Sequence, residues 1–207
     1  MSVREDAGAA ARQPRQVLVA THNTGKLREF AALLGPLGIE AVSAGEIGLP
    51  EPEETAQSFA GNAQLKAQAA AKAAGMPALA DDSGLCVAAL GGAPGVFSAR
   101  YAAGDYPAAF SRIVTAAEQK NEWRAWFVCA LCYAQPDGTT ATYIGQAHGT
   151  IAKTPRGIGG FGYDPIFIPL GYEQSFAELG AAVKDSISHR ARAFEQLAAV
   201  FARSAMP

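Results

Sequence analysis

The chain has 207 residues, with 17 Lys or Arg against 19 Asp or Glu and a formal net charge of −2. A composition of 49% hydrophobic and 17% charged residues supplies a core and excludes wholesale disorder. A general nucleic-acid binder would carry a basic excess that is absent here, and no run is long and apolar enough to span a bilayer.

Met1 to Pro14 is small, polar and of mixed charge. It lacks the apolar centre of a signal peptide and reads as a disordered leader ahead of a fold over residues 15–207. That length suits one domain or two closely joined lobes. The odd count of 3 cysteines, with nothing pointing to export, suits a reducing cytoplasm. Gln16 to Ala20 predicts a buried strand. Thr21-His-Asn-Thr-Gly-Lys26 breaks it, and Leu27, Phe30, Ala31 and Leu34 then share one helix face until Gly35-Pro36. Ile39 to Val42 predicts a second strand, and Gly45 to Glu54 an exposed loop.

Ser58 to Ala74, dense in good helix formers, predicts the longest helix, ended by Gly75-Met-Pro77. Ala78 to Ala80 predicts a short strand running into Asp81-Asp82-Ser83, and Leu85 to Leu90 a separate one, before a turn at Gly91 to Gly95. Pro107 to Gln119 predicts a helix buried through Phe110, Ile113, Val114 and Ala117. Arg124 to Tyr133 predicts a central strand. Asp137-Gly138 signals a hairpin, with a return strand from Thr139 to Gly145 continued by Gln146 to Ile151. A glycine-rich loop, Gly157 to Gly162, precedes Asp164-Pro165 and the strand Ile166 to Ile168. A last helix starts near Ser188 and buries Phe194, Leu197, Ala198 and Phe201. Strands and helices without strict alternation, plus a hairpin, predict an α/β fold with a mixed sheet and flanking helices.

Several segments carry chemistry. Thr21 to Lys26 joins a strand to a helix and can cradle an anion on backbone N–H groups beside a lysine. It is not a P-loop, because Ala20 and Leu27 replace the required glycine and hydroxyl residue. A plain turn with a solvated lysine is the alternative. Glu53-Glu54 lie in a loop, where acidic pairs are commonly just solvated. Asp81-Asp82 follow buried apolar residues and would repel each other unless a cation or donors held them. Magnesium wants one or two carboxylates plus phosphate oxygens and water. Asn62 and Lys66 share a helix face and could offer an amide and an ammonium to a phosphate, or form an ordinary polar face.

Gly157 to Gly162 matches GxGxxG, but Tyr163-Asp164-Pro165 forbids the helix that a dinucleotide site needs. Phe161 and Tyr163 could stack on a base or turn into the core. His189 and Arg190 at a helix start oppose the helix dipole. A bound anion or an electron-rich base edge would relieve this, and so would a salt bridge to Glu178 or Asp185; Lys184 lies just upstream. Cys129 and Cys132 fall on opposite strand faces and read as core thiols. His22 and His148 have no Ser/Asp partner for a hydrolytic triad.

These segments, in this order, resemble the inosine triphosphate/xanthosine triphosphate pyrophosphatase family. The matching stretches are Val19 to Lys26, Glu53 to Thr55 with Ser58-Phe59, Asn62 to Ala67, Ala80 to Leu85, Gly91 to Gly95 with Ser98 to Tyr101, Gly159 to Pro165, and Ser186 to Arg190. The resemblance implies a cytoplasmic homodimer, each subunit an elongated mixed sheet with two lobes around a central nucleotide-binding cleft. It implies magnesium-dependent hydrolysis of ITP, dITP and XTP to the monophosphate and pyrophosphate. Thr21, His22, Asn23, Thr24, Gly25 and Lys26 would grip the triphosphate, with Asn62 and Lys66 nearby. Asp82 would be the general base, and Glu54 with Asp82, joined by Glu53 and Asp81, would hold Mg2+. Ser83, Phe161, Gly162, Tyr163, Asp164, Lys184, His189 and Arg190 would hold the nucleotide. His22 stands where a small residue is usual, and Ala56 replaces a usual glycine. Donors on His189 and Arg190 suit a 6-oxo purine and oppose the amino group of adenine. The related Maf-like pyrophosphatases, which act on pyrimidine or modified nucleotides, would share the fold and the acid-plus-lysine logic. A nucleotide sensor without turnover would not need Asp81-Asp82.

Overall fold

A computed structural model of the chain describes residues 14–50 and 52–204; the leader short of Pro14 and the last residues of the expected domain lie outside them. The chain opens with β1 (Gln16–Val19), α1 (Thr24–Leu34) and β2 (Glu40–Ser43), followed by α2 (Phe59–Ala74) and β3 (Ala78–Val87). Two helices, α3 (Ser98–Ala102) and α4 (Tyr106–Lys120), lead to the hairpin of β4 (Arg124–Ala134) and β5 (Thr140–Ile151). The short β6 (Phe167–Pro169) precedes α5 (Phe176–Leu179), α6 (Ala181–Ile187) and α7 (His189–Ser204).

The strands form one six-stranded sheet in the order β2-β1-β3-β4-β5-β6. β1 pairs in parallel with β2 and β3, and the remaining pairs are antiparallel. The mixed α/β sheet read from the sequence is therefore present. Side-chain alternation along the central strands builds two cores. Val17, Val19, Leu79, Cys129, Leu131 and Tyr133 face α1 and α7. Leu18, Ala20, Ala78, Ala80, Ala130, Cys132 and Ala134 face the alanine stripe of α2. The two thiols lie on opposite faces as expected, and burial pushes that of Cys129 up to about 12.

Three readings need correction. The segments Ala78 to Ala80 and Leu85 to Leu90 are one strand, because β3 pairs with β4 without a break from Ala78↔Ala134 to Val87↔Ala125. Asp81-Asp82-Ser83-Gly84 looks like a turn, yet it stays extended because its polar side chains find buried partners. Gly84 passes beneath the next segment, where a Cβ would lie 2.6 Å from Ser98 Oγ and 3.0 Å from Phe59. Ala31 is exposed; the buried face of α1 is Glu29, Phe30 and Leu34. The short helices α3, α5 and α6 are too brief to show a period; α5 is marked by a capping box between Ser175 and Glu178.

The hairpin meets α7 at Gly145, where a Cβ would collide with the His189 carbonyl oxygen and the Ala193 nitrogen. Both are backbone atoms and cannot rotate away. Gly145→Ala should therefore destabilise the fold by on the order of 1–3 kcal/mol through overpacking. A urea titration checks this: the midpoint falls with the slope unchanged, and an unmoved midpoint would contradict the tight contact.

Candidate active site

The end of β1 and the start of α1 form the first wall. Asn23 caps α1 by accepting a hydrogen bond from Lys26 N at 3.1 Å, and Thr21 Oγ1 accepts one from Asn23 N at 3.1 Å. The free N–H groups of the helix start thus surround a site suited to an anion. Gly25 lies under Phe161, whose Cδ1 would be 2.6 Å from any Cβ there. The His22 Nε2 lies 3.0 Å from the Leu49 carbonyl oxygen.

β3 forms the floor and divides its two aspartates between the faces of the sheet. Asp81 faces α1 and α7. Its side chain is fully buried, with Lys26 Nζ at 3.1 Å and Arg190 Nη2 at 2.7 Å, and Ser83 Oγ donates to it at 2.6 Å. Burial alone would raise this carboxyl, but Arg190, Lys26 and Lys66 hold it well below the usual carboxylate range. Asp82 faces α2 instead. Asn62 Nδ2 donates to its Oδ2 at 2.9 Å, and burial, aided by the Glu54 charge, pushes the carboxyl up to about 6.

A third wall comes from the glycine-rich loop and the last two helices. Lys184 sits between Asp164 at 2.5 Å and Glu29 at 2.8 Å, with its ammonium 4.4 Å from the centre of the Phe161 ring. Arg190 is bonded to both Glu29 and Asp81. His189 stacks on Phe127 with ring centres 4.7 Å apart. Burial, then the charges of Arg190 and Lys184, hold its imidazole well below the usual range, so it is neutral.

The walls enclose a cavity of about 920 Å³. It is lined by Thr21, His22, Asn23, Lys26, Glu53, Glu54, Lys66, Asp82 and Ser83, and by Phe161, Gly162, Tyr163, Asp164, Lys184, His189 and Arg190. Thr24 and Gly25 line a smaller cavity beside it, with Arg28. Four expectations change in detail. Asp81 lies beneath the cavity, committed to cations, and is not among its lining residues. Asn62 is 0% exposed and does not reach the cavity. Tyr163 turns into the core, its hydroxyl donating to the Ser98 carbonyl oxygen at 2.8 Å and its ring packed on Tyr106. Arg190 pairs with neither Glu178, which takes Arg156, nor Asp185. The reading of the sequence missed Glu29, though a carboxylate three residues from Lys26, beside Phe30, was the available signal. It also gave no role to Arg100, whose Nη2 donates to the Glu54 carbonyl oxygen at 3.0 Å.

The residues fit a magnesium ion. Glu54 and Asp82 are hard oxygen donors that line one cavity, and burial, with the Glu54 charge adding to it, raises the Asp82 carboxyl. Among the described residues no group of three or more His, Cys, Asp or Glu gathers that could hold a metal ion by itself.

The chain is an α/β protein whose mixed sheet brings carboxylates and lysines together at the start of a helix. The chain belongs to the Ham1 family, whose model matches residues 17–200. It is 52% identical over 180 residues to a dITP/XTP pyrophosphatase of Gluconobacter oxydans, covering 86% of each chain. It is 54% identical over 188 residues to one of Rhodospirillum centenum, covering 88% of this chain and 93% of that one. Among solved structures, a HAM1 protein from Coxiella burnetii aligns with a TM-score of 0.81 at 39% identity, over 92% of this chain and 100% of that one.

The raised Asp82 carboxyl has a consequence for stability. Its folded value of about 6 exceeds the 3.8 of an ordinary aspartate. The group therefore favours folding below pH 3.8, and that contribution is lost as pH rises through about 6. Asp82→Asn should then stabilise the metal-free protein at pH 8 by about 1 kcal/mol, with the gain vanishing near pH 4. Denaturant melts with a chelator present test this; equal stabilities at pH 8 would show that the Asp82 charge is not strained.

Proposed function

We propose that the protein is a magnesium-dependent pyrophosphatase for dITP, XTP and ITP, releasing the nucleoside monophosphate and pyrophosphate. The observation that carries this is Asp82, a carboxyl raised to about 6, in one cavity with Glu54, Lys26 and Lys66. The near-identical span of relatives that bear the dITP/XTP pyrophosphatase name supports the substrate class.

The triphosphate would lie against the start of α1, between Lys26 and Lys66. Asp82 would take the proton of a water whose oxygen attacks the α-phosphorus, while the bond from that phosphorus to the bridging oxygen breaks and pyrophosphate leaves. Magnesium, held by Glu54 and Asp82, would neutralise phosphate charge and polarise a phosphoryl oxygen. Glu53, exposed at the rim, is a further donor. At the other end His189 Nδ1 and Arg190 Nε are buried without hydrogen-bond partners, which suits reading a 6-oxo base. The same reading takes residues 15–207 as one domain whose two lobes flank the cavity. It places the protein in the cytoplasm, where the buried thiols of Cys86, Cys129 and Cys132 stay reduced.

Pyrophosphate release across a nucleotide panel tests the proposal. Magnesium-dependent release from dITP, XTP and ITP should exceed that from dATP, UTP and dTTP by on the order of 10²-fold. A preference for UTP or dTTP would move the protein to the Maf-like class.

The homodimer belongs to the same reading. Leu170 and Tyr172 are 81% and 40% exposed, beside a surface cavity that also takes in Trp126, His148 and Ile168, an apolar face suited to a second copy. Light scattering should give twice the 21.4 kDa chain mass, with Leu170→Lys shifting the population to monomer; a monomeric mass for the unaltered chain would sink this part.

A further inference from the structure

We infer that Asn62 is a positioning residue that acts through Asp82 and the Glu54 segment, and not a ligand of the phosphates. This rests on the pyrophosphatase reading above. Asn62 lies in the first turn of α2 and is 0% exposed. Both ends of its amide are engaged: Nδ2 donates to Asp82 Oδ2 at 2.9 Å, and Oδ1 accepts from Ala56 N at 2.9 Å. Each end of the amide is thus held by a protein partner, and the side chain does not line the cavity where a substrate would lie.

The two bonds join the two carboxylate-bearing elements. Asp82 belongs to β3, while Glu54 belongs to a segment without regular structure ahead of Ser58, the cap of α2. Such a segment has no ladder of its own to fix it. Three side chains do so: Lys66 holds Glu54 Oε1 at 2.6 Å, Arg100 donates to the Glu54 carbonyl oxygen at 3.0 Å, and Asn62 takes the Ala56 amide. Of these three, Asn62 is the one that also hydrogen-bonds Asp82. The fold makes room for this return of the chain at Gly61, where a Cβ would lie 2.7 Å from the Ala56 Cβ. By taking Oδ2, Asn62 also sets the rotation of the Asp82 carboxylate. Oδ1, which no hydrogen bond reaches among the described residues, then remains for water or metal.

The test is a double-mutant cycle on pyrophosphate release from dITP, comparing the unaltered protein with Asn62→Ala, Asn62→Asp, Asp82→Asn and the Asn62→Ala/Asp82→Asn double variant. Each Asn62 variant should lower kcat on the order of 10²-fold with KM unchanged, and Asn62→Ala should cost Asp82→Asn little further. A raised KM with kcat retained would make Asn62 a substrate contact and overturn the inference. Equal losses in both backgrounds would make it a structural lesion and overturn it too. Should Asn62→Ala not fold, Asn62→Asp decides alone, since it keeps the shape and the acceptor for Ala56 but loses the donor. If the unaltered protein turns over no nucleotide, the functional reading falls, and amide exchange at Ala56 decides the strap. Faster exchange in Asn62→Ala but not in Asn62→Asp supports it; unchanged exchange in both overturns it.

Discussion

The structure turns on a buried chain of alternating charges: Asp164, Lys184, Glu29, Arg190, Asp81 and Lys26, each paired with the next. Taking such groups out of water is expensive, and only close opposite partners offset it. Here every interior member has a partner on each side, and the positive and negative members are equal in number. Removing any one would leave a neighbour charged in a medium that cannot solvate it. The chain therefore acts as a unit. It ties α1, β3, α6 and α7 to the glycine-rich loop, which otherwise has little regular structure to hold it. The wall that carries the start of α1 and the wall that carries His189 are thus fixed by one set of pairs.

The adjacent aspartates of β3 show how strongly environment outweighs residue type. They are neighbours in sequence, yet pleating sends one to each face. Asp81 meets two cations and is held ionised. Asp82 meets an amide, a second carboxylate and little water, and is pushed towards neutrality. A group that binds its proton weakly enough to release it near neutral pH, yet tightly enough to accept one, is suited to acid–base work. Neither aspartate could take the other's part, because the partners, and not the carboxyls, differ.

Much of this was legible in the sequence. The apolar runs of β1 and β4, the Asp137-Gly138 turn and the α2 helix formers are local signals, and each produced its element. The segments that line the cavity were legible through their order along the chain. What failed was whatever depends on distant partners. Asp81 to Gly84 reads as a break because nothing local shows Arg190, which lies 109 residues beyond Asp81. Glu29 draws no notice in the sequence for the same reason, with its partner 161 residues away. Asn62 reads as a polar helix face, since its burial is set by an irregular segment folding back over Gly61. Arg190 could be flagged as a misfit at a helix start, but which carboxylates relieve it was not visible locally.

The proposed base end follows from the same charge chain. Arg190 has both terminal nitrogens turned to Glu29 and Asp81, so it cannot present them to a ligand. Its Nε and the Nδ1 of the neutral His189 are left buried without partners beside the cavity. An unpaired buried polar atom costs free energy in the empty site, and a ligand that supplies the missing partner recovers it. A purine that presents the wrong group leaves that cost standing. On the proposed reading, selectivity would come from holding a few polar atoms rigid and unsatisfied, and the charge chain is what holds them. A looser site, free to turn Arg190 towards whatever base arrived, would bind more nucleotides and distinguish fewer.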